Sequence, residues 1–280
     1  MKEDNAVFKN SMFGAGGCKR AALRKMGVKF RSEWFYTEPG FEAVEKAFRE
    51  APELFANSEI IWHTRHKMVR KVVLPEEYGG HKLAFKIYDG VTPLRFALRC
   101  SKTALEAANY KALSQLGMPM AKLVCAGDDR RNFHLRKSFF ATVFAEGYPD
   151  GREFIPGGSM RGTPEEKSFI RQNMEYVAKL HSIHGYHKAL RVYNFLWQKC
   201  GNGEVKIIWI DVASCRFLAV PEMIFKKYVI DDLARFFRDM QLNEADLHEA
   251  LTVYCNNNPR TAFTVEQLCK EVAGEAARPR

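Results

Sequence analysis

The pattern of apolar and polar positions changes near the middle of the chain. Residues 59–90 contain β-branched runs separated by turn residues such as Pro75, and this pattern predicts two or three antiparallel strands. Residues 122–147 predict further strands around a polar turn at Asp128–Asn132. The first half of the chain is therefore predicted to be rich in β-structure.

Helical periodicity dominates the second half and recurs in two segments of the first. The predicted helices cover residues 41–50, 101–117, a segment that begins at Thr163-Pro164-Glu165-Glu166, and residues 227–254 and 264–275. The Thr163–Glu166 stretch has the composition of a capping box with proline at the first helical position. Between the helices, "NFLWQK" and "EVKIIWID" flank Cys200–Gly203 and predict a hairpin.

These elements predict an α+β fold with two lobes that are joined near residues 147–152. We divide the chain into a basic and helical N-terminal extension (residues 1–58), a β-rich N-lobe (59–147) and a mainly helical C-lobe (148–280). A chain of 280 residues is long enough for two such lobes around a cleft.

Composition and cysteine usage are typical of a cytoplasmic globular protein. The seven cysteines are odd in number and form no C-x-x-C pair, which argues against a disulfide framework or a structural zinc site. No apolar run approaches the roughly 18–20 residues needed to span a bilayer. The first thirty residues contain no uninterrupted apolar core like that of a signal peptide. We therefore expect a cytoplasmic protein.

The charge of the chain favours anionic partners. The formal net charge is +10, and residues 18–31, "CKRAALRKMGVKFR", contain six basic residues and no acid. This segment is either a solvated helix or strand edge, or a segment that lies on an anionic membrane surface. The sequence has no helix-turn-helix, zinc-finger or RNP-type pattern, so we do not expect a nucleic-acid partner.

Four candidate groups follow one another along the chain. Lys86 stands alone in the apolar strand "LAFKIY", and Glu106 lies on the following predicted helix. His187 and Asn194 stand seven residues apart in "HGYHKALRVYNFLW", and Asp211 ends a buried strand. Taken singly, a strand lysine that reaches solvent and a surface carboxylate are the ordinary explanations. Their order instead favours a Lys–Glu pair for phosphates and an Asn–Asp pair for magnesium.

At these residues the chain resembles the protein-kinase-like superfamily, whose catalytic loop reads H-R-D-L-x-x-x-N. Within the superfamily it is most similar to the lipopolysaccharide kinase (Kdo/WaaP, InaA-like) family. The segments "EAANYKALSQLGMPMAKLV", "LHSIHGYHKALRVYNFLW" and "KKYVIDDLARFF" carry this resemblance, which covers about residues 59–240. It implies a protein-kinase-like fold and phosphate transfer from ATP, with Mg²⁺, to sugar hydroxyls of the lipopolysaccharide core. It also implies a peripheral location at the inner face of the bacterial inner membrane.

The resemblance implies a role for individual residues. Lys86, held by Glu106, would bind the phosphates of ATP. Asn194 and Asp211 would hold Mg²⁺. Three further roles are implied: His187 would brace the loop, Asp232 or Asp231 would hold the loop backbone, and Glu146 would belong to the nucleotide-binding residues.

The segment before Lys86 departs from the kinase pattern because it has no G-x-G-x-x-G. The strand turn "WHTRHKMV", residues 62–69, is the alternative phosphate cover, with Thr64, Arg65 and Lys67 as possible contacts. An ordinary basic hairpin tip would have the same sequence. The change of D-F-G to "DVA" matters less, because the aspartate carries the metal.

The second departure is Ala189, which occupies the position of the catalytic aspartate. No other acid lies in residues 184–194, and Lys188 is a poor base unless its pKa is strongly lowered. We therefore expect a chain that binds Mg-ATP but transfers phosphate very slowly. An engineered Asp→Ala change and a natural pseudokinase with a regulatory or scaffolding role would both have this sequence. Loss of the base alone favours the engineered change. A kinase for a small molecule or a protein is a further alternative.

Overall fold

A computed structural model of the chain describes residues 23, 25–27, 34–89, 100–131 and 134–278. Most of the basic segment 18–31 and the predicted turn residue Asn132 thus lie outside the described residues. The chain divides into two compact units, an N-terminal unit that ends at Glu146 and a C-terminal unit that continues from Gly147. Among the described residues, no helix is both long enough and apolar enough to cross a membrane.

The N-terminal unit is built on a six-stranded antiparallel sheet. Its strands are β1 (Trp34–Thr37), β2 (Glu59–Thr64), β3 (Lys67–Val73), β4 (Lys82–Asp89), β5 (Leu123–Arg131) and β6 (His134–Val143). Their order in the sheet is β1-β5-β6-β4-β3-β2. The strands predicted in residues 59–90 and 122–147 are therefore confirmed.

The predicted polar turn at Asp128–Asn132 is wrong, because β5 continues to Arg131. The side chains of Asp128 and Arg130 are fully buried, and Arg130 Nη2 lies 3.1 Å from Asp128 Oδ2. A carboxylate and a guanidinium that neutralise each other are tolerated inside a sheet. From sequence alone, the same two charged residues predict a solvated turn.

Three of the helices that the structure describes pack on this sheet. They are α1 (Glu42–Glu50), α2 (Glu53–Ala56) and α3 (Lys102–Gln115). Helix α3 begins at Ser101, whose Oγ accepts a hydrogen bond of 3.0 Å from the Ala104 N–H. It ends before Gly117, which has a positive φ of 67° that favours glycine. The helices predicted at 41–50 and 101–117 are confirmed, and residues 34–56 contribute β1, α1 and α2 to this unit rather than forming a separate extension.

The two faces of the sheet pack against different helices. An aromatic cluster on one face joins strands β1, β4 and β6 to α1 and α2; its members are Phe35, Phe48, Phe55, Phe85 and Phe139. On the other face, the Phe140 ring lies 4.9 Å from the Tyr110 ring of α3. Lys86 is directly opposite Phe140 in the β4–β6 register, so its side chain lies on the α3 face.

The C-terminal unit is mainly helical. Its elements are α4 (Pro164–Ser182), β7 (Gly185–Tyr186), β8 (Phe195–Gly201), β9 (Glu204–Trp209), β10 (Arg216–Phe217), α5 (Glu222–Met240), α6 (Glu244–Asn257) and α7 (Val265–Ala276). The helix predicted after Thr163 and the β8–β9 hairpin are confirmed. The stretch predicted as one helix at 227–254 is two helices. Gln241 adopts a positive φ of 46° after α5, and Asn243 Oδ1 accepts a 2.9 Å hydrogen bond from the Asp246 N–H to cap α6.

Candidate active site

The N-terminal unit contains a buried ion pair between β4 and α3. Lys86 Nζ lies 2.6 Å from Glu106 Oε1, and the Glu106 side chain is fully buried. The ammonium also lies 5.8 Å from the centre of the Phe140 ring. Residues twenty apart in sequence meet because α3 crosses the face of the sheet on which Lys86 lies. The predicted ion pair is therefore present.

Removing one partner of this pair is expected to destabilise the fold strongly. Glu106→Ala leaves the Lys86 ammonium buried without its carboxylate, which should lower the free energy of unfolding by about 3–5 kcal/mol. Urea denaturation measures the effect. The matched control is the double change Lys86→Met with Glu106→Met, which removes both charges and should recover most of the loss. A Glu106→Ala protein as stable as the parent would contradict the buried pair.

The predicted phosphate-contacting residues Thr64, Arg65 and Lys67 lie at the tip of the β2–β3 hairpin. Thr64 and Arg65 are exposed, and Lys67 Nζ lies 4.8 Å from the centre of the Trp62 ring. Lys67 pairs with Tyr88, two residues along β4 from Lys86. The hairpin tip and the ion pair are therefore neighbours within this sheet.

Glu146, the remaining predicted nucleotide-binding residue of this unit, lies elsewhere. Its carboxylate bonds to Lys82 and lies 3.7 Å from Lys71, at the end of strands β3 and β4 that is opposite the hairpin tip. The hydrogen bond from Lys82 lowers the pKa of Glu146. The structure thus does not bring Glu146 together with the hairpin tip.

In the C-terminal unit, helix α5 holds the backbone of the loop that follows β7. The buried Asp232 accepts hydrogen bonds from the His187 N–H (2.6 Å) and the Lys188 N–H (2.8 Å). Asp231 instead accepts a hydrogen bond from the Tyr186 hydroxyl. Of the two acids predicted for this position, Asp232 is the one that braces the loop backbone.

His187 is a buried, neutral component of this loop. Its Nδ1 accepts a hydrogen bond of 3.3 Å from the Ala189 N–H, and its ring lies edge-to-face on Trp209. Burial lowers the pKa of His187, although the carboxylates of Asp232 and Asp211 act in the opposite direction. A neutral ring can accept a backbone hydrogen bond at Nδ1, which a protonated ring cannot.

Asn194 and Asp211 lie on connected segments at the base of the β8–β9 hairpin. Asn194 is buried, its Nδ2 donates to the Ala189 carbonyl at 2.8 Å, and its own carbonyl accepts from the Ile210 N–H at 2.9 Å. Asp211 follows Ile210 with φ of 56°, a conformation that is uncommon for a residue with a side chain. No donor within the described ranges bonds to Asn194 Oδ1, so this oxygen is left for another partner. An amide and a carboxylate supply the oxygen ligands that magnesium prefers.

Ala189 is half-buried and contributes only a methyl group to the loop. Lys188 beside it is exposed, with a positive φ of 67°. Asp232 cannot replace the missing base, because both of its oxygens already accept backbone N–H groups. The loop therefore has its backbone in place but no carboxylate at the position of the base.

A second acid of α5, which the sequence motifs did not indicate, also holds the loop. Arg191 donates from Nε to Asp239 Oδ2 (2.7 Å) and from Nη2 to Asp239 Oδ1 (2.6 Å). Asp239 Oδ2 also accepts from the Val192 N–H at 3.1 Å. Asp239 lies seven residues, about two turns, after Asp232, and this spacing on one helical face was the available signal.

A buried hydrogen-bonded chain reaches Asp232 from the far end of α6. The Asn258 Nδ2 donates to the Tyr254 hydroxyl (2.8 Å), which lies 3.0 Å from His181 Nδ1. His181 Nε2 lies 3.4 Å from Asp232 Oδ2. Burial raises the pKa of Tyr254, so the hydroxyl stays protonated. These residues come from three helices, and no sequence spacing indicates their meeting.

The antiparallel sheet with its Lys–Glu pair and the loop held by a helix acid are features of a protein-kinase-like fold. More narrowly, the chain belongs to the lipopolysaccharide kinase (Kdo/WaaP) family, whose family model matches residues 92–254, more than half of the chain. The predicted family is thus confirmed. Lys86 precedes the matched region, whereas Glu106 and the loop residues lie within it.

The structure is also similar to a solved structure described as WaaP in complex with acyl carrier protein. The TM-score is 0.59, with 14% sequence identity, and the match covers 87% of this chain and 95% of that one. At this identity the similarity shows the fold alone, and it confirms the predicted protein-kinase-like α+β fold. A comparison with curated protein sequences gives no match.

Proposed function

We propose that the chain has the active site of an ATP-dependent kinase that phosphorylates a sugar hydroxyl of the lipopolysaccharide core. Members of its family are lipopolysaccharide kinases. The observation that carries the proposal is the ordered loop around Ala189. Asp232 accepts hydrogen bonds from the loop backbone, and Asn194 Nδ2 donates to the Ala189 carbonyl. The loop therefore lacks only the side chain of the base.

The residues present fit a nucleotide and a magnesium ion. Lys86, oriented by Glu106, would bind phosphate oxygens of ATP. Asn194 and Asp211 would hold Mg²⁺ through hard oxygen ligands, and few protein ligands suffice because substrate phosphates complete the coordination. When bound, the ion neutralises charge on the phosphates. Thr64, Arg65 and Lys67 are retained as candidate phosphate contacts, because they lie at the hairpin tip beside the ion pair in the sheet.

In our proposal this chain transfers phosphate very slowly, because Ala189 stands where the base would be. A positioned base contributes roughly 10²–10⁴-fold to the rate of transfer. The same observation favours a second candidate function, a nucleotide-binding pseudokinase that regulates or scaffolds a partner. Both candidates bind Mg-ATP, and they differ in whether a carboxylate at position 189 produces transfer.

An acceptor panel tests the proposed function. The Ala189→Asp variant is incubated with radiolabelled ATP and, separately, with lipopolysaccharide core, small hydroxyl compounds and a generic protein substrate. Transfer to the core, and to neither other class, is the expected result. Transfer to the small compounds or the protein would replace the glycolipid acceptor, and binding of Mg-ATP without any transfer would favour the pseudokinase.

We also propose that the protein works at the inner face of the bacterial inner membrane and contacts it through the basic segment 18–31. The family's glycolipid substrate and the six basic residues support this, since each basic residue near an anionic surface contributes about 1 kcal/mol. Reversing the six charges is expected to abolish sedimentation with anionic vesicles and to leave Mg-ATP binding unchanged. Equal sedimentation of parent and variant would refute the contact.

A further inference from the structure

We propose that Tyr193 and Arg191 form an acceptor subsite for a sugar that carries an anionic group. This inference rests on the proposed kinase function and names two residues that recognise its acceptor. Tyr193 is 44% exposed, although the residues on either side of it, Val192 and Asn194, are buried. A large aromatic side chain is thus presented to solvent from within the catalytic loop.

The position of Tyr193 places it close to where the acceptor hydroxyl must lie. Asn194 Nδ2 is 2.8 Å from the carbonyl of Ala189, the residue at the base position. Consecutive Cα atoms are about 3.8 Å apart, so the Tyr193 backbone is one such step from Asn194. In our proposal, an acceptor whose hydroxyl approaches the base position extends to the exposed Tyr193 ring.

Arg191 supplies a fixed positive charge beside that ring. Its guanidinium carbon lies 5.4 Å from the centre of the Tyr193 ring, and two of its nitrogens are bound by Asp239. The hydrogen bond with Asp239 also raises the pKa of Arg191, so the guanidinium stays charged. Since Asp239 also holds the Val192 N–H, both recognition residues sit on a loop that is ordered before any ligand binds.

One nitrogen of Arg191 remains for a ligand. In the part of the chain that the structure describes, Arg191 Nη1 has no hydrogen-bond partner, and the side chain is 34% exposed. Guanidinium groups bind carboxylates and phosphates through short, charge-assisted hydrogen bonds. An aromatic face beside such a group suits a ligand with one apolar face and one anion, which describes a pyranose ring bearing a carboxylate or a phosphate. A lipid chain has no anion to bind the guanidinium, and a neutral sugar would leave Arg191 Nη1 without an anionic partner.

Binding to deacylated lipopolysaccharide core oligosaccharide tests the subsite. Titration calorimetry uses the chain as it stands, without ATP, so no phosphate is transferred during the measurement. Tyr193→Ala is expected to raise the Kd about tenfold, a loss equivalent to about 1.4 kcal/mol. Tyr193→Phe keeps the ring and is expected to bind like the parent. Met223→Ala removes another exposed apolar side chain of this unit and serves as the matched control, with no change expected.

Two chemically treated oligosaccharides identify the anion. One has its carboxylates reduced to alcohols, and the other has its phosphates removed with hydrofluoric acid. The parent is expected to bind one of the treated forms more weakly, and Arg191→Gln is expected to abolish the difference. In the Ala189→Asp background, Tyr193→Ala should raise the KM for the acceptor and leave the KM for ATP unchanged, which a purely structural role would not do.

The outcomes separate the subsite from the kinase function. If the oligosaccharide binds and is phosphorylated but Tyr193→Ala leaves its Kd unchanged, the subsite is wrong and the kinase function stands. If the parent discriminates against neither treated form, the anionic part of the proposal is wrong. If the parent does not bind the oligosaccharide and Ala189→Asp does not phosphorylate it, both proposals fail.

Discussion

Ala189→Asp is expected to raise the rate of phosphate transfer to lipopolysaccharide core by about 10²–10⁴-fold. The loop backbone is already held by Asp232, and the Asn194 amide already closes it, so the new side chain enters an ordered site. A carboxylate at this position can accept the proton of the acceptor hydroxyl. Because Ala189 is half-buried rather than enclosed, the larger side chain should be accommodated without repacking of the core.

Ala189→Asn is the matched control for this gain. It adds a side chain of the same shape as aspartate but supplies no base, so the rate should stay at the level of the parent. Single-turnover transfer with radiolabelled ATP measures both variants. Equal rates for the parent and the Ala189→Asp variant, with Mg-ATP binding intact in both, would contradict the hypothesis that the enzyme lacks only its base.

Asp211→Asn, made together with Ala189→Asp, is expected to remove most of the restored activity. Asparagine keeps the shape of the side chain but removes a negative oxygen ligand from the proposed magnesium site. Loss of an outer-shell group that orients a metal ligand typically lowers metal affinity or activity by about 10–100-fold, and loss of a direct ligand should cost at least as much. The measurement is the Mg²⁺ concentration dependence of both ATP binding and transfer.

Asp246→Asn is the control for this second prediction. Asp246 lies in the first turn of α6, where it exchanges hydrogen bonds with the helix cap, Asn243. Its replacement should leave the Mg²⁺ dependence unchanged. An Asp211→Asn protein with the Mg²⁺ dependence of its parent would show that Asp211 does not hold the ion, even if the kinase fold is right.

Local pattern was sufficient to predict most of the elements. β-Branched runs between turn residues located strands β2 to β6 but not β1, and the Thr163 cap located the start of α4. Both signals depend on residues within a few positions of one another. The same local reasoning failed at Asp128 and Arg130. There, two charges that look solvated in sequence are buried as a pair, and only the sheet shows that they face each other.

The candidate site was predictable to the extent that it consists of a motif. Lys86, Glu106 and the loop residues were found because their order and spacing match a known pattern. Glu146 was also named as a nucleotide-binding residue, and the structure pairs it with lysines away from the hairpin tip. Asp239 was missed because its role depends on the direction in which α5 passes the loop, which spacing within the loop does not reveal.

The sequence by itself determined the fold class, the family and the absence of a carboxylate at position 189. All three depend on residue identity and short-range spacing, which can be read directly. Only the tertiary structure decided which of Asp231 and Asp232 holds the loop, and that Arg191 is fixed beside an exposed Tyr193. The hydrogen bonds that hold the loop and the one that fixes Arg191 join residues about 40–50 positions apart in sequence. They depend on helix packing, and packing is a property of the whole core rather than of any local stretch.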